Sequence, residues 1–144
     1  MNRTRTLAHV AGWIAVVVGV IHTLAALWDR LSTWADILSR GPWETISLDV
    51  TTDNRVYSEA FWYSPGSFGI PLLLFGGLVL WTVRRGARVP APLGWGMTAW
   101  GAVMSALLPA SPAWALLLAG VLLILAAHTS RRHGATEHAK PVQR

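Results

Sequence analysis

The sequence predicts an all-α membrane protein, a bundle of four transmembrane helices with a short interfacial amphipathic helix between spans one and two. Three observations predict it. Leu7 to Trp28, LAHVAGWIAVVVGVIHTLAALW, is an apolar run with no Lys, Arg, Asp or Glu, and a span needs about 20 such residues. Three further apolar stretches follow, near residues 57–83, 93–108 and 113–129. Of the 144 residues, 53% are hydrophobic and 13% are charged, against about 25% charged in soluble domains. The length suits one bundle and not several domains. The chain has no Cys, which excludes disulfides, thiol redox chemistry and Cys-ligated metals.

The first span follows Asn2-Arg3-Thr4-Arg5, a start that a signal peptide shares. The run is longer than an h-region of about 15 residues and no A-x-A site closes it, so an uncleaved span is expected. Residues 29–56 form a polar segment. Within it Trp28, Leu31, Trp34, Ala35 and Leu38 recur at helical spacing, with Asp29, Arg30, Ser32, Thr33, Asp36 and Arg40 on the polar side. That pattern predicts a helix lying in the interface, with Trp28, Trp34 and Trp43 as headgroup anchors. Gly41-Pro42 ends it, and Glu44 to Arg55 has no period and reads as a loop.

The second span begins near Tyr57 and ends before Arg84-Arg85. Ser64-Pro65-Gly66-Ser67, Gly69 and Pro71 interrupt it, which predicts a kink or a short unwound piece near Ser64 to Gly69. Phe61, Phe68 and Phe75 fall seven residues apart and read as one packing or lipid-facing stripe. After a basic turn, Val89-Pro90-Ala91-Pro92 leads into the third span, where proline at a helix start costs little. Pro109-Ala110-Ser111-Pro112 turns the chain into the fourth span, Ala113 to Thr129. Residues 130–144 are polar and are expected to form a disordered cytoplasmic tail.

Lys and Arg placement sets orientation. Arg3, Arg5, Arg84, Arg85, Arg88, Arg131, Arg132, Lys140 and Arg144 fall on one side of the predicted bundle, and Arg30, Arg40 and Arg55 on the other. Both termini are therefore expected in the cytoplasm, with the acidic stretch from Asp29 to Glu59 outside. The net charge of +5 then belongs to topology and to anionic lipid headgroups, and no motif supports nucleic-acid binding.

Helices associate in lipid through small residues that allow close approach. Ala11, Ala15, Gly19 and Thr23 form such a ladder in the first span, and Ala115, Ala119 and Gly120 a shorter one in the fourth. In the third span the ladder is read as Gly94, Thr98, Ala102 and Ala106, with Gly101 and Ser105 beside it and Leu93, Met97, Trp100, Met104 and Leu107 on the bulky face.

His22 is the ionisable residue well inside the first span, and an intramembrane ionisable group is a candidate functional site. The alternative is a neutral core histidine bonded to a nearby Ser, Tyr or carbonyl. Tyr63, Ser64 and Ser67 on the second span and Ser105 on the third are expected at similar depth, with Glu59 above them. Together they suggest an outward-facing polar pocket for a ligand with a polar head and an apolar body. One His and one carboxylate fall below the usual ligand count for a metal. His22 and Ser64 lack the G-x-S-x-G context of a serine nucleophile. No catalytic motif and no cofactor can be named.

Gly19-Val20-Ile21-His22-Thr23, Ala60-Phe61-Trp62-Tyr63, Pro92-Leu93-Gly94-Trp95 and Pro109-Ala110-Ser111-Pro112-Ala113-Trp114 together resemble a family of small bacterial four-span membrane proteins, catalogued as a domain of unknown function. The resemblance runs from about Leu7 to Leu125. The chain departs from it at Pro112, where Gly is expected, and in its longer polar tail. It implies four spans in a bacterial inner membrane and implies no activity. A looser similarity to DoxX-like four-helix proteins rests on hydropathy.

Three readings compete. The first is a bundle that binds a hydrophobic or lipid-like small molecule, or a partner membrane protein. The second is a small membrane enzyme using His22 as general acid or base on an isoprenoid- or quinone-like substrate. The third is a subunit of a dimeric exporter, disfavoured because proton coupling needs a carboxylate buried mid-span. Membrane lipids and a second copy of the chain are the expected partners.

Overall fold

The computed structural model describes the backbone of residues 3–138 and side chains through residue 129. Among these residues the fold is all-helical. The helices are α1 (Arg3–Trp28), α2 (Leu31–Arg40), α3 (Pro42–Thr45), α4 (Arg55–Tyr63), α5 (Gly69–Arg84), α6 (Ala91–Leu107) and α7 (Ala113–His138). One of them, α1, is long and apolar enough to cross a membrane; Gly69–Arg84 and Ala113–Thr129 are shorter apolar helices. Helix α7 runs past the expected boundary at Thr129 to His138, where the sequence predicts a disordered tail. That expectation for residues 139–144 falls outside the described residues.

The chain divides into two compact units, Met1–Val16 with Phe75–Arg144, and Val17–Leu74. In the first, Ala8, Ala11, Val79, Val89, Ala119, Leu123 and Ala126 form a buried core. The small residues bring helices together at backbone distance. A Cβ built on Gly76 would lie 2.7 Å from both the Gly12 carbonyl and the Val16 nitrogen. A Cβ on Gly101 would lie 2.5 Å from the Leu117 nitrogen, and one on Gly94 2.9 Å from the Ile124 nitrogen. Gly120 meets Thr98 in the same way. These pairings run in opposite directions along α6 and α7, so the two helices are antiparallel.

The seam on α6 differs from the ladder read in the sequence. Gly94, Met97, Gly101 and Ser105 are buried, whereas Ala102 and Ala106 are exposed. A four-residue step advances a straight helix by about 40° beyond a full turn. A ladder counted in fours from Gly94 has therefore drifted about 80° off the seam by Ala102. Met97, assigned to the bulky face, lies in the seam instead.

In the second unit the end of α1, the start of α5 and helices α2 to α4 pack together. Gly41, at φ 102°, terminates α2; this is left-handed backbone that glycine adopts without strain. Pro42 then opens α3, a turn of helix inside the stretch expected to be loop. Ile37 from α2 and Ala60 from α4 are fully buried. The Tyr57 hydroxyl donates to Asp36 Oδ2 at 2.6 Å, and Ser58 Oγ to the Ser47 carbonyl at 3.2 Å. The Trp34 indole is half-buried and its N–H donates to Ser64 Oγ at 3.5 Å, so it points into the protein and not out as a headgroup anchor. Trp28 and Trp43 stay exposed, at 75% and 97%.

Large apolar side chains face outward. On α1, Val10, Trp13, Val17, Ile21, Leu24 and Trp28 make one exposed stripe. The buried Ala8, Ala11, Ala15 and Gly19 occupy the other side. On α7, Trp114, Leu118, Val121 and Leu125 repeat the pattern.

Candidate functional site

The expected second span is two helices. Helix α4 ends at Tyr63 and α5 begins at Gly69, which leaves the chain unwound across 64–68, the stretch rich in helix breakers. Proline at 65 lacks an N–H and disfavours helical geometry in the residue before it. The break is tied down by hydrogen bonds. Ser64 Oγ, fully buried, donates to the Ala60 carbonyl at 2.8 Å and approaches the Ala26 carbonyl of α1 at 3.3 Å. Ser67 Oγ donates to the Ser64 carbonyl at 2.6 Å. The Gly66 amide reaches back to the Phe61 carbonyl at 2.9 Å.

This unwinding takes Phe68 out of the phenylalanine stripe and lays it on His22. The two rings stack with centroids 4.1 Å apart and planes 28° from parallel. Gly19 and Gly69 permit that approach. A Cβ on Gly19 would lie 2.7 Å from the Gly69 carbonyl. A Cβ on Gly69 would lie 3.1 Å from His22 Cδ2 and collide with Thr23 Oγ1. Thr23 turns its hydroxyl back onto the Gly19 carbonyl at 2.8 Å, so it offers His22 no donor. His22 Nε2 is buried and has no hydrogen-bond partner among the described residues. A buried polar atom left unpaired costs about 1–3 kcal/mol.

The other residues expected at the site divide by environment. Ser64 and Ser67 spend their hydroxyls on backbone, as above, and hold the break in shape. Tyr63 is exposed beneath the Arg30 guanidinium, 5.7 Å from its ring centroid. Glu59 Oε1 accepts from Arg55 Nε at 2.7 Å. Ser105 belongs to the other unit, where its Oγ is also buried without a hydrogen-bond partner among the described residues. No hydrogen bond joins His22 to Ser64, Ser67, Tyr63 or Glu59 among the described residues. The closest relation is reciprocal: Ser64 approaches the carbonyl of Ala26, one turn beyond His22, while Phe68, four residues beyond Ser64, stacks on His22. Among the described residues no cluster of three or more His, Asp or Glu side chains stands ready for a metal.

Phe68 and Gly69 were not singled out as site residues by sequence reasoning. The signal was present in the helix breakers on both sides of Phe68, since a residue in an unwound stretch cannot belong to a seven-residue helical stripe.

The model of a family of unknown function, DUF6463, matches residues 6–130. No curated protein and no solved structure matches the chain.

Proposed function

The chain belongs to the DUF6463 family, a family of unknown function, and from that premise we propose a multi-pass membrane protein that binds a hydrophobic or lipid-like small molecule at His22. In this reading α1, α5, α6 and α7 are four spans of a bacterial inner membrane. Both termini lie in the cytoplasm and residues 29–56 outside.

The outward apolar stripes support the membrane setting. Soluble monomers rarely expose contiguous apolar patches larger than a few hundred Å², and in α1 the large side chains are outside while the small ones are inside. Helix α5 has 16 residues, which rise about 24 Å. Thinning of the bilayer and snorkelling of Arg84 and Arg85 would absorb the shortfall from a hydrocarbon core of about 30 Å. An unwound stretch at membrane depth is tolerated where it is buried in protein, and the fully buried Ser64 supports that condition.

The ligand reading is carried by one observation, the buried His22 Nε2 without a hydrogen-bond partner among the described residues. A ligand whose polar head exchanges one hydrogen bond with that nitrogen, and whose body lies against Phe68, satisfies the orphaned atom. Tyr63, Ser67 and Glu59 are proposed as its polar surroundings, and Ser64 as the residue whose hydroxyl holds the break that frames it. Binding is favoured over acid–base catalysis because, among the described residues, His22 has neither an orienting carboxylate nor a hydroxyl nucleophile within hydrogen-bond reach.

The test is native mass spectrometry of the protein extracted from its own membrane. The expected result is a small-molecule adduct on the native chain that is lost in a folded His22→Gln variant. An adduct unchanged by His22→Gln, or a native chain with no adduct, overturns the ligand reading.

A further inference from the structure

At one end of the first unit a cavity of about 680 Å³ opens among the first turn of α1, the turn between α5 and α6, and α7. Three arginines line it, Arg3, Arg5 and Arg88, all exposed, with the hydroxyl residues Thr4 and Thr129. Its apolar wall includes Ala8, Val89 and Ala126, all buried. The turn is shaped for this. Gly86 adopts φ 74°, and Arg5 Nη2 lies 3.0 Å from where a Cβ at Gly86 would stand. A side chain there would push the guanidinium away.

Among the described residues no carboxylate lines the cavity. Between residues 3 and 129 every acidic residue falls in the stretch Asp29 to Glu59. The ion pairs among the described residues, Arg40–Asp36 and Arg55–Glu59, lie there too. Arg3, Arg5 and Arg88 thus converge on one concave site with no acidic partner among the described residues. Arginines gathered around one concavity favour an anion there, and planar guanidinium groups match phosphate oxygens in pairs.

We infer that this cavity binds the phosphate of an anionic phospholipid headgroup, with the acyl chains leaving along the apolar wall. The charge selects the phosphate, and the apolar wall selects a lipid over a free ion. Basic pockets between helices at the cytoplasmic end of a bundle bind such headgroups, and this end carries the basic residues that place it there. The inference rests on the membrane reading above and not on the His22 ligand.

The experiment titrates the full chain, purified in detergent, with phosphatidylglycerol, with phosphatidylcholine and with inorganic phosphate, following bound adducts by native mass spectrometry. Phosphatidylglycerol is expected to bind about tenfold more tightly than phosphatidylcholine, and Arg5→Gln and Arg88→Gln each to weaken it about fivefold. Arg5→Lys keeps the charge and loses the planar fork, so it is expected to fall between the native chain and Arg5→Gln. Arg40→Gln, on the acidic stretch, is expected to change nothing. Equal affinity for the two lipids in the native chain overturns the inference without reference to any variant. Displacement of phosphatidylglycerol by equimolar inorganic phosphate reassigns the cavity to a free anion and overturns the lipid part. Failure of the membrane reading is separate: the chain would then be missing from the membrane fraction before any titration began.

Discussion

Gly101 and Gly96 lie on the same helix, five residues apart, and alanine at the two positions should have opposite effects. At Gly96 an added Cβ meets nothing within 4 Å. There alanine only removes glycine's backbone entropy cost and gains about 0.5–1 kcal/mol. At Gly101 the Cβ would stand 2.5 Å from the Leu117 nitrogen, 2.9 Å from its Cα and 3.0 Å from the Leu116 carbonyl carbon. Ordinary contact begins at 3.4 Å, so α7 must retreat by about 0.9 Å. Every obstructing atom is backbone, and no rotamer change relieves the clash. Overpacking of this kind costs about 1–3 kcal/mol, and a rigid neighbour places it at the upper end. The propensity gain is common to both variants and cancels in their difference, leaving Gly101→Ala about 3 kcal/mol below Gly96→Ala. Unfolding in detergent micelles, followed by helical circular dichroism, measures that difference. Gly76→Ala against Gly77→Ala repeats the comparison on α5, because Gly77 is open and Gly76 meets the backbone of α1. If both members of each pair melt alike, the close backbone approach is not there and the assigned seams are wrong.

Three further outcomes are expected. The Asp36 carboxyl is held below its ordinary value of 3.8, first by the Tyr57 hydroxyl and then by Arg40. The stability it contributes is therefore complete above that value and is lost as pH falls through the lowered one. A melting series from about pH 5 to 2 should show a shallower acid loss in Tyr57→Phe than in the native chain, and parallel curves would refute the linkage. Ser64→Ala removes a buried hydroxyl that donates to Ala60 and accepts from Trp34, and it should cost about 1 kcal/mol on the same melting assay; no change would mean the hydroxyl is dispensable to the break. With an impermeant thiol reagent, Asp53→Cys should label in intact cells and Ala87→Cys only after permeabilisation. The reverse pattern inverts the proposed orientation.

Much of the helical layout was legible because it rests on composition and on helix breakers. The apolar run of α1 and the prolines and glycines between Ser64 and Pro71 announce a long helix and an interruption without tertiary information. The face of α6 was not legible to the same degree. Small residues lie on several sides of that helix, and only the partner decides which of them are used; the structure chooses Gly101 and Ser105 over Ala102 and Ala106. Trp34 shows the same limit. An amphipathic pattern fixes which residues share a face, but not whether that face meets lipid or protein. At the candidate site, His22 stood out as an ionisable residue in an apolar run. Its stacking partner did not, because Phe68 reaches it only through a break whose path the local sequence leaves open.

The two glycine seams differ in how far apart along the chain their halves are made, and that bears on the order of assembly. Gly101 and Leu117 are separated by a short turn, whereas Gly12 must find Leu80 across the whole of the second unit. Closing a loop about four times longer costs roughly 1.3 kcal/mol more in chain entropy. Helices α6 and α7 should therefore zip into a hairpin while the start of α1, synthesised first, still waits for its partner. Pulse-labelled hydrogen exchange would show this as protection of the α6 and α7 amides ahead of those around Gly12, and simultaneous protection would count against it.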